Sequence, residues 1–254
     1  MIKPTSEKPV AVVTGGAKGI GFACAARLLA SGFRVAITDI SEPDLKSASA
    51  SLGAGQGDLL ALWDDVRSFD GVQSNASRIL DAWGRFDVLV NSAGVSQPKG
   101  LLSITEQEWD LVIAVNLKGT FNWCKAVASH MVGAAAGRII NISSVNAHTG
   151  GTPSAVSKFA YAASKAGILG LTRGLAKELA PDVSVNAVCP GLIETALTLK
   201  MIGEQGKEMI ARGIPLGRIG TPDDIAVIVQ FIATVQPSYL TGEIIDVDGG
   251  AFIN

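Results

Sequence analysis

Tyr161 and Lys165 stand four residues apart, so on a helix they share one face. A free phenol has a pKa of ~10 and exchanges its proton poorly near neutrality. An ammonium beside it favours phenolate, and lowering the phenol by about three units takes roughly 4 kcal/mol of differential stabilisation. Such a tyrosine can give a proton to a carbonyl oxygen or take one from an alcohol. Ser144 follows the apolar run Arg138–Ile142, where its hydroxyl would orient that carbonyl at the end of a strand. Taken alone, the Tyr-x-x-x-Lys spacing equally describes a surface pair, and Ser143-Ser144 equally describes turn capping.

A second run with chemical content is Thr14-Gly15-Gly16-Ala17-Lys18-Gly19-Ile20-Gly21, which joins a β-branched stretch to a helical pattern. Glycines at such a turn permit positive φ and let backbone amides and a helix N-terminus approach a pyrophosphate. Phe22, where a Walker loop needs Lys, excludes that loop. The spacing is a variant of Gly-x-Gly-x-x-Gly, so a dinucleotide turn is the expectation. Asp39 closes the next strand, where a carboxylate accepts hydrogen bonds from the adenine-ribose hydroxyls and repels a 2′-phosphate. Lys18 pulls the other way, as a cation before Gly19. Like-charge conflict at the ribose outweighs one flexible lysine, so NAD is expected over NADP.

Those residues need a scaffold that alternates strands with helices. Val10–Thr14, Arg34–Thr38, Leu59–Leu62, Asp87–Val90, Arg138–Ile142, Ser184–Val188 and Glu243–Val247 read as strands, several continuously apolar. Ala76–Trp83, Glu106–Asn116, Ala155–Leu179 and Asp223–Val235 suit helices. Ile20, Cys24 and Leu28 recur at helical spacing, with Gly32 as a C-terminal stop. The fold class is therefore α/β: one doubly wound Rossmann-type domain over 1–254 with a seven-stranded parallel sheet.

Composition narrows the function. The 254 residues carry 21 Lys+Arg against 23 Asp+Glu, a net charge of −2 that offers no footprint for nucleic acid. Only 17% are charged, against ~25% in average soluble domains, and mean hydropathy is +0.35, so apolar surface is left over for subunit contacts. The three cysteines, Cys24, Cys124 and Cys189, lie far apart and are expected to be buried thiols. No apolar stretch is long enough to cross a membrane and the N-terminus has no signal core, so a cytoplasmic location is expected. No His/Cys/Asp/Glu run has metal-ligand spacing, so no metal is expected.

Taken in order, these motifs resemble the short-chain dehydrogenase/reductase family from Val10 to Gly250. Thr14-Gly15-x-x-x-Gly19-x-Gly21 is similar to its cofactor turn, and Asp65-Val66 resembles the acidic pair set against adenine. Asn91-Ser92-Ala93-Gly94 is similar to an Asn-Asn-Ala-Gly segment, with Ser92 replacing the second Asn. Asn116 matches the family's catalytic Asn. Asn141-Ile142-Ser143-Ser144, Tyr161-x-x-x-Lys165, Pro190-Gly191-x-Ile193-x-Thr195 and Asp248-Gly249-Gly250 follow.

The resemblance implies that Lys165 also holds the nicotinamide ribose and that Asn116 helps to hold a relay water. It implies carboxamide contacts from the Ile193 backbone and the Thr195 hydroxyl. The activity implied is an NAD(P)-dependent interconversion of alcohol and ketone, on a 3-oxoacyl thioester or a sugar or polyol. A non-catalytic dinucleotide-binding scaffold is the alternative.

Asn146–Lys158 is longer than the family pattern and is expected to be a substrate loop, with His148 a solvent-facing loop residue. An ungapped count from Tyr161 would put His148 near the serine position instead. Leu197 to Ile214 suits either packing or a mobile apolar lid. Low-charge helices near Leu117–Met131 and Ala155–Leu179, with the apolar tail Ala251-Phe252-Ile253, suggest two isologous contacts and a homotetramer.

Overall fold

The computed structural model describes residues 8–53, 57–151 and 157–253. β1 (Val10–Thr14) is buried at all five positions, as a parallel strand covered on both faces must be. It pairs on one side with β2 (Arg34–Asp39), which pairs in turn with β3 (Leu59–Trp63). On its other side stand β4 (Val88–Asn91), β5 (Gly137–Ile142), β6 (Val183–Pro190) and β7 (Ile244–Val247). Every pairing is parallel and the order is β3-β2-β1-β4-β5-β6-β7, one seven-stranded sheet as expected. The order reverses between β1 and β4, so a crevice opens beyond their carboxyl ends, where such sheets place ligands.

Helices cover both faces. α1 (Gly19–Ala30) packs on α9 (Pro222–Thr234), burying Cys24, Leu28, Ile225 and Val229. The opposite layer holds α3 (Phe69–Trp83), α5 (Gly119–Gly133) and α7 (Phe159–Glu178), centred on the buried Trp123, Met131 and Ile79. α2 (Glu42–Leu52) follows β2; it is poor in apolar residues and buries only Leu45 and Ala48, which is why its pattern is faint in the sequence. Ser41 caps it by accepting from the Asp44 amide.

The helix expected over Ala76–Trp83 begins seven residues earlier, at Phe69, where Ser68 caps it, and three further segments depart from the sequence expectation. The helix expected over Glu106–Asn116 is α4 (Glu106–Ile113), which continues into a π-helical turn at Ala114–Lys118 before α5. Leu197 to Ile214 is largely α8 (Ala196–Ala211), broken at Gly203, whose φ of 63° and ψ of 173° are not helical. The expected substrate loop opens with the short helix α6 (Asn146–Thr149); residues 152–156 lie outside the described residues, as do Ala155 and Val156 of the expected helix start. Among the described residues, no helix is long and apolar enough to cross a membrane. Cys24, Cys124 and Cys189 are free and buried, as expected.

Candidate active site

The glycine turn sits between β1 and α1 and is shaped by contacts that exclude side chains. Gly15 has φ +61°, and a Cβ on it would lie 2.8 Å from the Cα of Ala93. A Cβ on Gly21 would lie 2.2 Å from the Gly15 carbonyl oxygen, inside contact distance. Gly19 has φ +54°, and its Cβ position is 3.3 Å from Cγ2 of Thr195. The turn therefore faces the start of α8 across a narrow gap. Lys18 is the N-cap residue of α1 and supplies no side-chain cap, so first-turn amides, including that of Ile20, remain donors for an anion.

Asp39, at the tip of β2, anchors the rim. Its Oδ2 accepts from the Ala17 amide at 3.4 Å and its Oδ1 from the Ser41 amide at 3.1 Å. Lys18, the competing cation, is drawn into an ion pair with Asp44 at 2.5 Å. Asp65 is held bidentately by Arg67, which keeps its carboxyl below the usual range. The carbonyl of Val66 accepts from Nδ2 of Asn122 at 2.7 Å.

The segment after β4 is tied to the turn by Thr14, whose Oγ1 accepts from the amides of Ser92 and Ala93, both at 3.0 Å. Asn91 points its side chain into the sheet, donating to Oδ1 of Asn141 at 2.9 Å and to the sulfur of Cys124. Its side-chain donors are thus spent on neighbouring elements. Gly94 faces the site: a Cβ there would lie 3.4 Å from Oδ1 of Asn116 and 3.6 Å from Nζ of Lys165.

Asn116 occupies the π-helical turn, a distortion common at functional sites. Its Nδ2 donates to the Val95 carbonyl and to Oγ of Ser164, and its Oδ1 accepts from the Val95 amide. The side chain therefore pins the 92–97 segment to α7. Sequence reading did not find Ser164, although it sits one residue before Lys165. Its Oγ donates to the Tyr161 carbonyl, a bond internal to the helix that leaves no trace in residue spacing.

Tyr161 and Lys165 share a face of α7 as their spacing predicts, with Nζ 5.7 Å from the ring centroid. The Ser144 hydroxyl, which accepts from the Asn146 amide at 3.2 Å, lies near enough to the Tyr161 phenol to pull its pKa down. The expected lowering of the phenol is not produced by these side chains alone: burial raises its pKa and outweighs the pull of Ser144. Burial instead lowers Lys165, to about 8, while its Nζ donates to the Ile142 carbonyl at 2.8 Å.

The other wall is built from β6 and the segment beyond it. Pro190 ends β6, and a Cβ on Gly191 would lie 2.7 Å from Cβ of Asp248, so these two motifs pack on each other. Ile193 is buried and bridges to Gly220. Thr195 caps α8 through Oγ1, which accepts from the Thr198 amide. His148 corrects an expectation. It is not solvent-facing: its side chain is 18% exposed, its ring stacks on Phe252 at 5.3 Å, and its Nε2 lies 3.2 Å from Oδ1 of Asp246. Phe252, expected to reach across a two-fold, here packs within its own chain.

A dinucleotide fits this crevice. The glycine cradle leaves room for groups close to the backbone, Asp39 holds its carboxylate at the rim of the turn, and a Cβ on Gly94 would lie 3.6 Å from Nζ of Lys165. Residues 15–251 match the family described as Enoyl-(Acyl carrier protein) reductase. The chain is 39% identical over 242 residues to a 3-oxoacyl-(acyl-carrier-protein) reductase of Chlamydia muridarum, covering 94% of this chain and 96% of the relative. It is 38% identical to an acetoacetyl-CoA reductase of Shinella zoogloeoides, covering 96% and 98%. A solved structure of ElxO with NADP bound superposes with TM-score 0.88 at 30% identity, covering 96% and 99%.

Proposed function

The chain belongs to the short-chain dehydrogenase/reductase family, an oxidoreductase family that binds nicotinamide dinucleotides, and we propose that it reduces the ketone of a 3-oxoacyl thioester to an alcohol. The observation that carries this reading is Lys165 Nζ held 5.7 Å from the Tyr161 ring, with the Ser144 hydroxyl near enough to the phenol to pull its pKa down. Two neighbouring donors suit a carbonyl oxygen that gains negative charge as it is reduced.

A bound reduced dinucleotide would supply the hydride. Ser144 orients the carbonyl, and the Tyr161 phenol delivers the proton to its oxygen. Lys165, as an ammonium, offsets the phenolate charge that this transfer leaves behind. Gly15, Gly19, Ile20 and Gly21 would take the pyrophosphate, and Asp39, Asp65 and Val66 the adenosine. Ala93, Gly94, Pro190, Gly191, Ile193 and Thr195 would line the nicotinamide half, with Asn91 acting through backbone. Asn116 holds the 92–97 segment against α7.

NAD is the proposed cofactor. Asp39 is fixed at the rim by two amides, while Lys18 is held by Asp44. The NADP in the ElxO structure argues for the other dinucleotide, so the choice needs measurement. The names of the two curated relatives support a thioester substrate over a sugar or polyol. The deciding experiment follows cofactor absorbance with acetoacetyl-CoA, a polyol panel and simple ketones, each with NADH and NADPH or their oxidised forms. Turnover of polyols but not of the thioester would overturn the substrate assignment. No turnover with any of them would return the scaffold alternative.

A further inference from the structure

We propose that His148, Cys189 and Asp246 bind one zinc-class divalent cation beside the Ser143-Ser144 turn. Cys189 and Asp246 are register partners on β6 and β7, so their side chains emerge on one face of the sheet. His148 reaches the same face from α6. One ligand atom from each residue lies within 4.8 Å of the other two, and His148 Nε2 is already 3.2 Å from Asp246 Oδ1. Zinc bonds of ~2.0–2.3 Å to imidazole, carboxylate and thiolate place tetrahedral donors about 3.3–3.8 Å apart. The histidine and aspartate need little adjustment, and the sulfur must close by about 1 Å.

The Ser143 hydroxyl is committed to the Lys165 carbonyl at 2.8 Å, and burial pushes the Cys189 thiol up to about 11, so a metal must displace its proton to bind. The surroundings otherwise suit a metal. Phe252 stacks on the His148 ring with an interplanar angle of 9°, fixing its plane. Val145, Ala147, Leu169, Ala187 and Ile244 give the cluster an apolar shell. His148 and Asp246 keep 18% of their side chains exposed, which leaves an entry path. Binding exchanges the Cys189 proton, released to solvent, for a metal–sulfur bond. One sulfur, one imidazole and one carboxylate favour Zn²⁺ or Co²⁺ over Mg²⁺ or Ca²⁺ and leave a fourth position for water. The three residues are remote in sequence, so no spacing motif announces them. The bland alternative, a histidine–aspartate contact packed against a buried thiol, takes up no metal.

The test uses the full chain after chelator treatment, titrated with Zn²⁺ by calorimetry and with Co²⁺ by absorbance. Expected are one equivalent per chain and a sulfur-to-cobalt charge-transfer band. Cys189→Ser should lose the band, and His148→Gln and Asp246→Asn should each weaken binding at least about tenfold. Because Cys189 is fully buried, circular dichroism checks every variant, and the wild-type band stands whatever the variants do. No uptake, uptake without the band, or equal affinity in folded His148→Gln and Asp246→Asn would overturn the site. None of these outcomes depends on the reductase reading.

Discussion

Lys165 donates from Nζ to the carbonyl of Ile142 at 2.8 Å while standing 5.7 Å from the centre of the Tyr161 ring. One buried ammonium thus links α7 to the end of β5 and sits beside the proposed proton donor. Burial lowers its pKa from 10.5 to about 8. Reduction needs the ammonium to offset the developing phenolate, so kcat/KM for reduction should fall as pH rises through about 8. Lys165→Met should lower activity and flatten that limb. The sign for stability is opposite: above pH 8 the unfolded chain holds this proton and the folded one does not, so stability gains from this group up to about pH 10.5. A profile whose alkaline limb survives in Lys165→Met would assign the limb elsewhere.

Tyr161→Phe keeps the ring beside Lys165 and removes the phenol hydroxyl. Turnover should fall by about 10²–10⁴, with dinucleotide affinity within about threefold of wild type. Steady-state kinetics and cofactor calorimetry on one preparation separate the two effects. Retained turnover would move the proton-donor role to another group.

Asn116 makes three hydrogen bonds, two to Val95 and one to Ser164. Asn116→Ala leaves the Val95 amide and carbonyl without their partner and should cost about 1–3 kcal/mol of stability. Because the freed 92–97 segment borders the half of the crevice proposed for the nicotinamide, KM for the dinucleotide should rise as well. A lower Tm with unchanged cofactor KM would make the residue structural only.

The sheet was legible because several of its strands are short apolar runs rich in β-branched residues, and Val10–Thr14 is the plainest case. The glycine turn and the Tyr161–Lys165 pair were legible because their chemistry lies within a few residues. What escaped depends on contacts between remote residues. The π-helical turn at Asn116 changes no residue type and interrupts an otherwise good helical pattern. His148 looks like a loop histidine until β7 brings Asp246 to it and the tail lays Phe252 across its ring. The Tyr161 pKa escaped for another reason: spacing shows the ammonium but not the burial that opposes it.

Cofactor choice turns on Asp39 and Lys18. Asp39 is anchored by the amides of Ala17 and Ser41, and Lys18 by Asp44. Wild type should bind NADH more tightly than NADPH by calorimetry. Asp39→Ala should narrow or reverse the ratio by removing the charge that opposes the 2′-phosphate. Asp44→Asn should shift it the same way, more weakly, by releasing a solvent-exposed lysine. Tighter NADPH binding in wild type would mean that Asp39 does not set the preference.

Assembly depends on the apolar groups that the helices leave exposed. Leu111 of α4 and Phe121 and Val132 of α5 are 42%, 44% and 38% exposed, and α5 carries few charges. Apolar groups of that size are costly to leave in water, and a two-fold contact between α4–α5 layers would cover them. A second contact through another face would close a tetramer, with Ala251 and Ile253 of the tail exposed while Phe252 stacks on His148. Light scattering should give about four times the 26.2 kDa chain mass. Phe121→Glu should shift the distribution to smaller species by placing a charge in the contact. A 26.2 kDa particle that persists as concentration rises would show that these faces stay in water.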